Sequence, residues 1–235
     1  LNAAKPTVVD RNCLAHASAF QELSEQRLGD MLDGCRAYER PAGAIICRDG
    51  DPADELFLLV DGIVQLYYGG DTSRHAVLHI VEAGETFGEP AALVTGRHTL
   101  TAQAVTDIRI VEVPAEVFRL AIAESPSAAI DVITLLVRRL MSAWDSIEAL
   151  QTSSTTVRLA KYLLRFCDRS SKMTEFDLPF DKGVLAASLG MKPESLSRSF
   201  AKLRPFGVKS QRRHVVIKDP EKLAAGVGVD YRIAS

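Results

Sequence analysis

Glu194, Ser197 and Arg198 stand at i, i+3 and i+4 in the stretch "KPESLSRSFAKL". On a helix that spacing puts all three on one face. Pro193, just before them, suits a helix's first turn, where a missing N–H has no partner to lose. The set has the chemistry of base recognition: Arg can bond bidentately to guanine O6 and N7, a carboxylate can accept from cytosine N4, and Ser can reach a base edge or a phosphate. Lys192, Lys202 and Arg204 flank the face as expected phosphate contacts. Upstream, "DKGVLAASLG" supplies Leu185, Leu189, small Ala186 and Ala187 for a close crossing, and Gly190 for a left-handed turn. With Met191 and Leu196 these residues make the shared core of a helix-turn-helix. "FGVKSQRRHVVIKD" then reads as strand, basic turn and strand, a wing that adds Lys209, Arg212 and Arg213. A helical hairpin with a solvated charged face shares part of this pattern, but the wing and the local charge favour DNA.

That charge is unevenly held. Residues 152–235 carry 16 Lys and Arg against 8 Asp and Glu, while the preceding residues carry 12 against 22, so a net charge of -2 hides a basic third on an acidic body.

A second stretch with chemical content is "GETFGEPAALVTGRHTLTAQAV", residues 84–105. Gly88 and Glu89, then Arg97, His98 and Thr99, could line a cradle for a phosphate or close a tight corner of a sheet. The elements around them alternate like a sheet. "AIICR", "LFLLV", "IVQLYY", "AVLHIV", "TAQAV" and "IRIVEV" are short β-branched or aromatic runs from Ala37 to Val113, separated by turns at Gly43, Gly50, Gly62, Gly69-Gly70, Gly84 and Gly96. An antiparallel β-roll is expected, preceded by one or two short helices between Leu14 and Met31, with Ser24 as an N-cap. Pro114 ends the last strand, "AEVFRLAIAE" is a short helix, and Ser125-Pro126 opens a long one. Along it Ile130, Ile133, Val137, Leu140, Trp144 and Ile147 recur at steps of three and four. A helix packed on its own sheet can show a stripe, but a heptad sustained this long favours a two-helix dimer seam. The polar "QTSSTT" breaks that helix, and "VRLAKYLLRFC" starts the next. The expected class is α+β, with an effector-sensing β-roll domain with N-terminal helices over 1–124, a dimerisation helix over 125–152, and a winged helix-turn-helix over 153–235.

A β-roll, a long dimerisation helix and a winged helix-turn-helix, in that order, resemble the Crp/Fnr superfamily of bacterial transcription regulators. The resemblance rests on "FGE" (Phe87 to Glu89), "VRRL" (Val137 to Leu140) and "PESLSR" (Pro193 to Arg198), and spans residues 20–223. Its Fnr-like branches carry E-x-x-S-R in the recognition helix. This implies a homodimer on a palindromic site with TTGAT-like half-sites, controlled by an effector in the β-roll, with RNA polymerase as partner if it activates. In cyclic-AMP receptors of the family a Gly-Glu pair and a later Arg-Ser pair hold ribose and phosphate. Here Gly88 and Glu89 match the first pair, but ungapped counting puts His98 and Thr99 on the second, with Arg97 one residue early. In a strand, a one-residue shift turns a side chain to the other face. The hydroxyl pair that meets adenine falls on Ala143 and Trp144, whose methyl and indole offer it no hydroxyl. Cyclic AMP is therefore disfavoured.

"TAQAV" and "KPESLSR" look most similar to Dnr-like regulators, which implies a nitric oxide signal and makes haem a candidate cofactor. His16, His75, His79 and His98 are the candidate axial ligands; on a strand His75 and His79 would stand about 13 Å apart, too far to share one metal. Cys13, Cys35, Cys47 and Cys167 are scattered, without the N-terminal cluster an iron–sulfur centre needs, and suit reduced thiols in the cytoplasm. The acidic turn Asp49 to Glu55 lacks the glycine and distal glutamate of a calcium loop. No Ser/His/Asp or Cys/His set, metal cluster or glycine-rich phosphate loop supports an enzyme. No segment shows a signal-peptide pattern or the roughly 20 apolar residues of a membrane span. The alternative is a cyclic-nucleotide-binding sensory module acting through protein partners.

Overall fold

The computed structural model describes residues 4–17, 19–20, 23, 25–69, 76–167 and 173–229. The chain divides into two units, residues 1–141 and 142–235.

In the first unit, α1 (Val8–His16) begins earlier than the helix expected from Leu14 onward. The reason is a capping box: the Thr7 side chain accepts from the Asp10 backbone while the Asp10 side chain accepts from Thr7 N–H. Asp10 also takes two 2.7 Å bonds from Arg109. The second helix, α2 (Glu25–Asp33), follows; Ser24, its expected cap, lies outside the described residues.

Two four-stranded antiparallel sheets form the roll. One has the order β1 (Arg36–Arg40), β8 (Ile108–Pro114), β3 (Glu55–Asp61), β6 (Thr86–Phe87); the other β2 (Ile45–Cys47), β7 (Thr101–Ala104), β4 (Ile63–Tyr68), β5 (Ala76–Glu82). Strands β3 and β8 are covered on both faces, so their sequences are nearly continuous apolar runs. Leu56, Leu58, Val111 and Val113 pack with α1, α2 and α3 (Ala115–Glu124). Their neighbours Phe57, Leu59, Ile108 and Ile110 point into the roll, against Val64, Val81, Phe87 and Ala102. Gly88 (φ 95°) ends β6, and a Cβ there would stand 3.3 Å from Leu56 Cα, so only glycine lets the chain turn so close to β3. A π-helical turn over Ala91–Thr95 follows, an element the sequence reading does not contain.

The long helix α4 spans Pro126–Thr152, and the division between the units falls within it. At about 1.5 Å per residue it is roughly 40 Å long. All six predicted seam residues are exposed, from 48% at Val137 and Leu140 to 62% at Ile130.

In the second unit, Ser154 caps α5 (Thr155–Leu164). Strand β9 (Thr174–Asp177) joins β10 (Val208–Gln211) and β11 (His214–Ile217) in a three-stranded antiparallel sheet of order β10-β11-β9. Helices α6 (Lys182–Ser188) and α7 (Pro193–Leu203) form the helix-turn-helix, and α8 (Pro220–Val227) closes the fold. Leu159, Leu163, Leu185, Leu196, Leu203, Val215, Ile217 and Leu223 are buried to 1% exposure or less and make the core.

Candidate functional site

The turn between α6 and α7 is built as its residues dictate. Gly190 adopts φ 60°, its N–H donates to Ala187, and Met191 N–H donates to Ala186, closing α6. Pro193 stands in the first turn of α7. Leu196, Ser199, Phe200 and Leu203 form the helix's buried face, and Ser199 Oγ bonds Thr155 Oγ1 at 3.0 Å. On the opposite, N-terminal face Glu194, Ser197 and Arg198 are all exposed, with Lys192, Lys202 and Arg204 exposed beside them. Arg198 Nη2 donates to Ser195 Oγ at 3.2 Å, a weak contact that leaves most of the guanidinium's donors to other partners.

The wing is a two-residue hairpin. Arg212 at its tip takes φ 51°, which an L residue adopts only in a tight turn. Lys209, Arg212 and Arg213 are exposed, although Arg213 Nε already donates to the Leu178 carbonyl at 2.7 Å and helps fix the hairpin. His214 lies between two carboxylates, its Nδ1 3.0 Å from Asp177 and its Nε2 3.0 Å from Glu175. The Asp177 bond comes first among the causes that raise its pKa, and partial desolvation opposes it.

In the β-roll, Glu89 is fully buried. Its Oε2 accepts from Arg139 Nη1 at 2.8 Å, and Arg139 Nη2 donates to the Thr86 carbonyl. Its Oε1 is buried without a partner among the described residues. Arg139 is absent from the sequence reading of the site. The signal is within "VRRL", yet nothing in a heptad pattern says that a charged residue beside the apolar stripe turns back to a buried carboxylate.

Arg97 points away from the roll. It is exposed, pairs with Pro52 in an isolated bridge, and its Nη1 donates to the Gly50 carbonyl at 2.8 Å. The acidic turn holds this segment in place, because His98 N–H donates to Asp51 and Gly50 N–H donates to His98. Alternation then sends the next side chain inward. His98 is 4% exposed, its ring stacks on Phe57 with centroids 6.0 Å apart, and its Nε2 has no partner among the described residues. Burial lowers its pKa, so the ring is neutral near pH 7. Thr99, Ala143 and Trp144 are exposed.

The other candidate histidines are placed differently. His79 is half-exposed on β5 with Nε2 3.9 Å from Glu85, but that nitrogen, like Nε2 of His98, is buried without a hydrogen-bond partner among the described residues, and its pKa is lowered chiefly by burial. His16 is exposed, its Nδ1 2.7 Å from the Asn12 carbonyl. His75 lies outside the described residues. All four cysteines are free thiols, and burial pushes Cys35 and Cys47 up to about 12, so neither is a nucleophile near neutral pH. No single helix among the described residues is long and apolar enough to cross a membrane.

A two-sheet roll, a long helix and then a helix-turn-helix with a basic wing are the parts of a DNA-binding regulator. Residues 39–125 match the cyclic nucleotide-binding domain and residues 157–225 the Crp-like helix-turn-helix domain. The chain belongs to the Crp/Fnr superfamily of DNA-binding transcription regulators. It is 24% identical over 218 residues to the CRP-like cAMP-activated global transcriptional regulator of Mycobacterium tuberculosis, covering 90% of this chain and 96% of that one. Among solved structures, a Ruegeria pomeroyi protein provisionally described as cyclic-nucleotide-binding is 29% identical, with TM-score 0.65, over 94% of this chain and 98% of its own. The fold is also that of DNR from Pseudomonas aeruginosa, at 24% identity and TM-score 0.51, over 94% and 99% of the two chains.

Proposed function

We propose that the chain acts as a homodimer on a palindromic, TTGAT-like site, reads bases with Glu194, Ser197 and Arg198, and answers a haem-type nitric oxide signal rather than cyclic AMP. The observation that carries the DNA reading is the two-faced α7. Its apolar side is locked into the core while its first turns offer Glu194, Ser197 and Arg198 to solvent, the placement a major-groove helix needs. Lys192, Lys202, Arg204, Lys209, Arg212 and Arg213 lie on α7, the turns flanking it and the wing, and supply backbone contacts. The homodimer rests on the exposed stripe Ile130, Ile133, Val137, Leu140, Trp144 and Ile147, whose burial against a second copy removes an apolar surface a monomer rarely leaves bare. The domain roles follow: sensing over 1–124, dimerisation over 125–152 and DNA binding over 153–235.

The effector reading rests on Arg97 and His98. Arg97, the arginine expected to hold a cyclic phosphate, is turned out and bonded to Gly50. His98 instead offers the roll a neutral imidazole whose buried Nε2 is free of hydrogen bonds, the donor chemistry of an axial haem ligand. Haem would supply an iron that binds nitric oxide, and His98 would hold it. The M. tuberculosis relative is named for cyclic AMP, so the rival ligand is explicit. The tests are separate. Selection from random duplexes by the full chain should enrich a TTGAT palindrome; enrichment of no sequence would refute the base-reading role. For the effector, haem-reconstituted protein should show a Soret shift on adding nitric oxide, and the His98→Ala variant should not. No shift, together with calorimetric binding of cyclic AMP, would reverse the choice.

A further inference from the structure

The polar break after α4 and the turn of the helix-turn-helix are joined by one side chain. Arg158, in the first turns of α5, spreads its guanidinium over three main-chain carbonyls. Nη1 donates to Ser153 at 2.9 Å, Nε to Leu189 at 3.1 Å and Nη2 to Gly190 at 3.3 Å. Ser153 is the residue between the end of α4 and the cap of α5. Leu189 and Gly190 are the turn between α6 and α7. An apolar contact runs alongside: a Cβ built on Gly190 would stand 2.7 Å from Leu150 Cδ2, so the last turn of α4 rests on that same turn.

We infer that Arg158 is a positioning residue for DNA reading, tying the end of α4 to the helix-turn-helix turn so that the orientation of α7 follows that of α4. This rests on the homodimeric, palindromic reading above. Three features separate the role from plain packing. The buried face of α5 is Leu159, Ala160, Leu163 and Leu164, and Arg158 lies only half-buried at its flank. All three bonds go to backbone, so they register the position of the chain whatever side chains surround it. The planar guanidinium gives each carbonyl its own nitrogen, whereas the three donors of an ammonium all diverge from one point. These donors are also occupied within the domain, which separates Arg158 from the phosphate-contacting residues on α7 and the wing.

A tie between hinge and reading helix governs the distance between two α7 helices in a dimer, and has no bearing on how one helix meets one half-site. The experiment uses the full chain and three duplexes in fluorescence anisotropy: the selected palindrome, the same half-sites moved apart by two base pairs, and a single half-site. Wild type should prefer the natural spacing. Arg158→Gln and Arg158→Lys should each lose about fivefold to tenfold of that preference, the net worth of a hydrogen bond or two. Single-half-site affinity should change by less than about twofold, as expected for a residue outside the DNA contacts. Unchanged spacing preference in both variants would overturn the inference, as would equal loss on single and paired half-sites. If Arg158→Gln does not fold, Leu150→Ala, which leaves every hydrogen bond of Arg158 intact, tests the same coupling through its apolar half and should also lower the spacing preference. A wild type indifferent to spacing would instead refute the palindromic reading and the inference with it.

Discussion

Arg139→Ala is the substitution whose cost the structure fixes best. Glu89 is fully buried, and its one hydrogen-bond partner among the described residues is Arg139, at 2.8 Å. Removing the guanidinium leaves a carboxylate without compensation inside the roll and frees the Thr86 carbonyl. Breaking such a pair costs about 3–5 kcal/mol. Arg139 itself keeps 26% of its side chain exposed, so water can partly replace it and the lower end applies. About 3 kcal/mol corresponds to roughly a 6–12 °C fall in Tm for a unit of this size. The assay is thermal and urea unfolding of Arg139→Ala, Glu89→Gln and the double variant. Glu89→Gln on the Arg139→Ala background should recover most of the loss, because a neutral amide no longer demands the missing charge. A single variant within about 1 kcal/mol of wild type, or a double variant no better than the single, would refute the claim that Arg139 holds a buried charge.

Leu140→Glu with Trp144→Glu should shift the sedimenting species from dimer to monomer, since each exposed seam residue contributes about 2 kcal/mol when buried; an unchanged dimer would place the interface elsewhere. Burial works to raise the pKa of Asp10, but the Arg109 guanidinium and the Thr7 donors outweigh it and hold the carboxyl below its ordinary value. Its stabilisation is therefore present above about pH 4 and lost as pH falls through the lower folded value, and Asp10→Asn should flatten the Tm-versus-pH slope in that acidic range. His214 is raised above its ordinary value by Asp177 and then Glu175, so its contribution is present below about pH 6.5 and lost as pH rises through the folded value. An NMR titration should find a His214 pKa above about 6.5 that falls in Asp177→Asn, and an unchanged value would remove the carboxylate pair from the account.

Much of the architecture was legible because burial leaves a period in the sequence. Phe57 and Leu58 serve opposite faces of one strand, so "LFLLV" had to be a strand covered on both sides. Pro193 and Gly190 announced α7 and its turn, and "VKSQRRHVVI" announced the wing. Less legible elements carry local signals too weak or too short. Strand β1, "RAYER", has charged ends, and β6 is two residues long, so both exist only through their partners β8 and β3. The start of α1 is marked by the Thr7–Asp10 spacing, but the apolar residues that signal a helix begin downstream of it. The site divides in the same way. Alternation predicts that Arg97 and His98 face opposite ways, yet which one faces inward depends on the Gly50–Pro52 turn bonding to them from 47 positions away. Arg139 and Arg158 work through carbonyls and a carboxylate that only tertiary structure brings to them.

The proposed division of labour is that α7 reads bases while the basic residues around it hold the backbone. Its most direct measurement is the affinity of wild type, Arg198→Ala and Lys202→Ala for the selected palindrome and for random duplex, across a salt series. Arg198→Ala should lose about 1–3 kcal/mol on the palindrome, relax the choice at one guanine and leave random-duplex binding nearly unchanged. Lys202→Ala should weaken both duplexes alike and make the salt slope shallower by roughly one contact. Equal losses on specific and random DNA for Arg198→Ala would contradict the account.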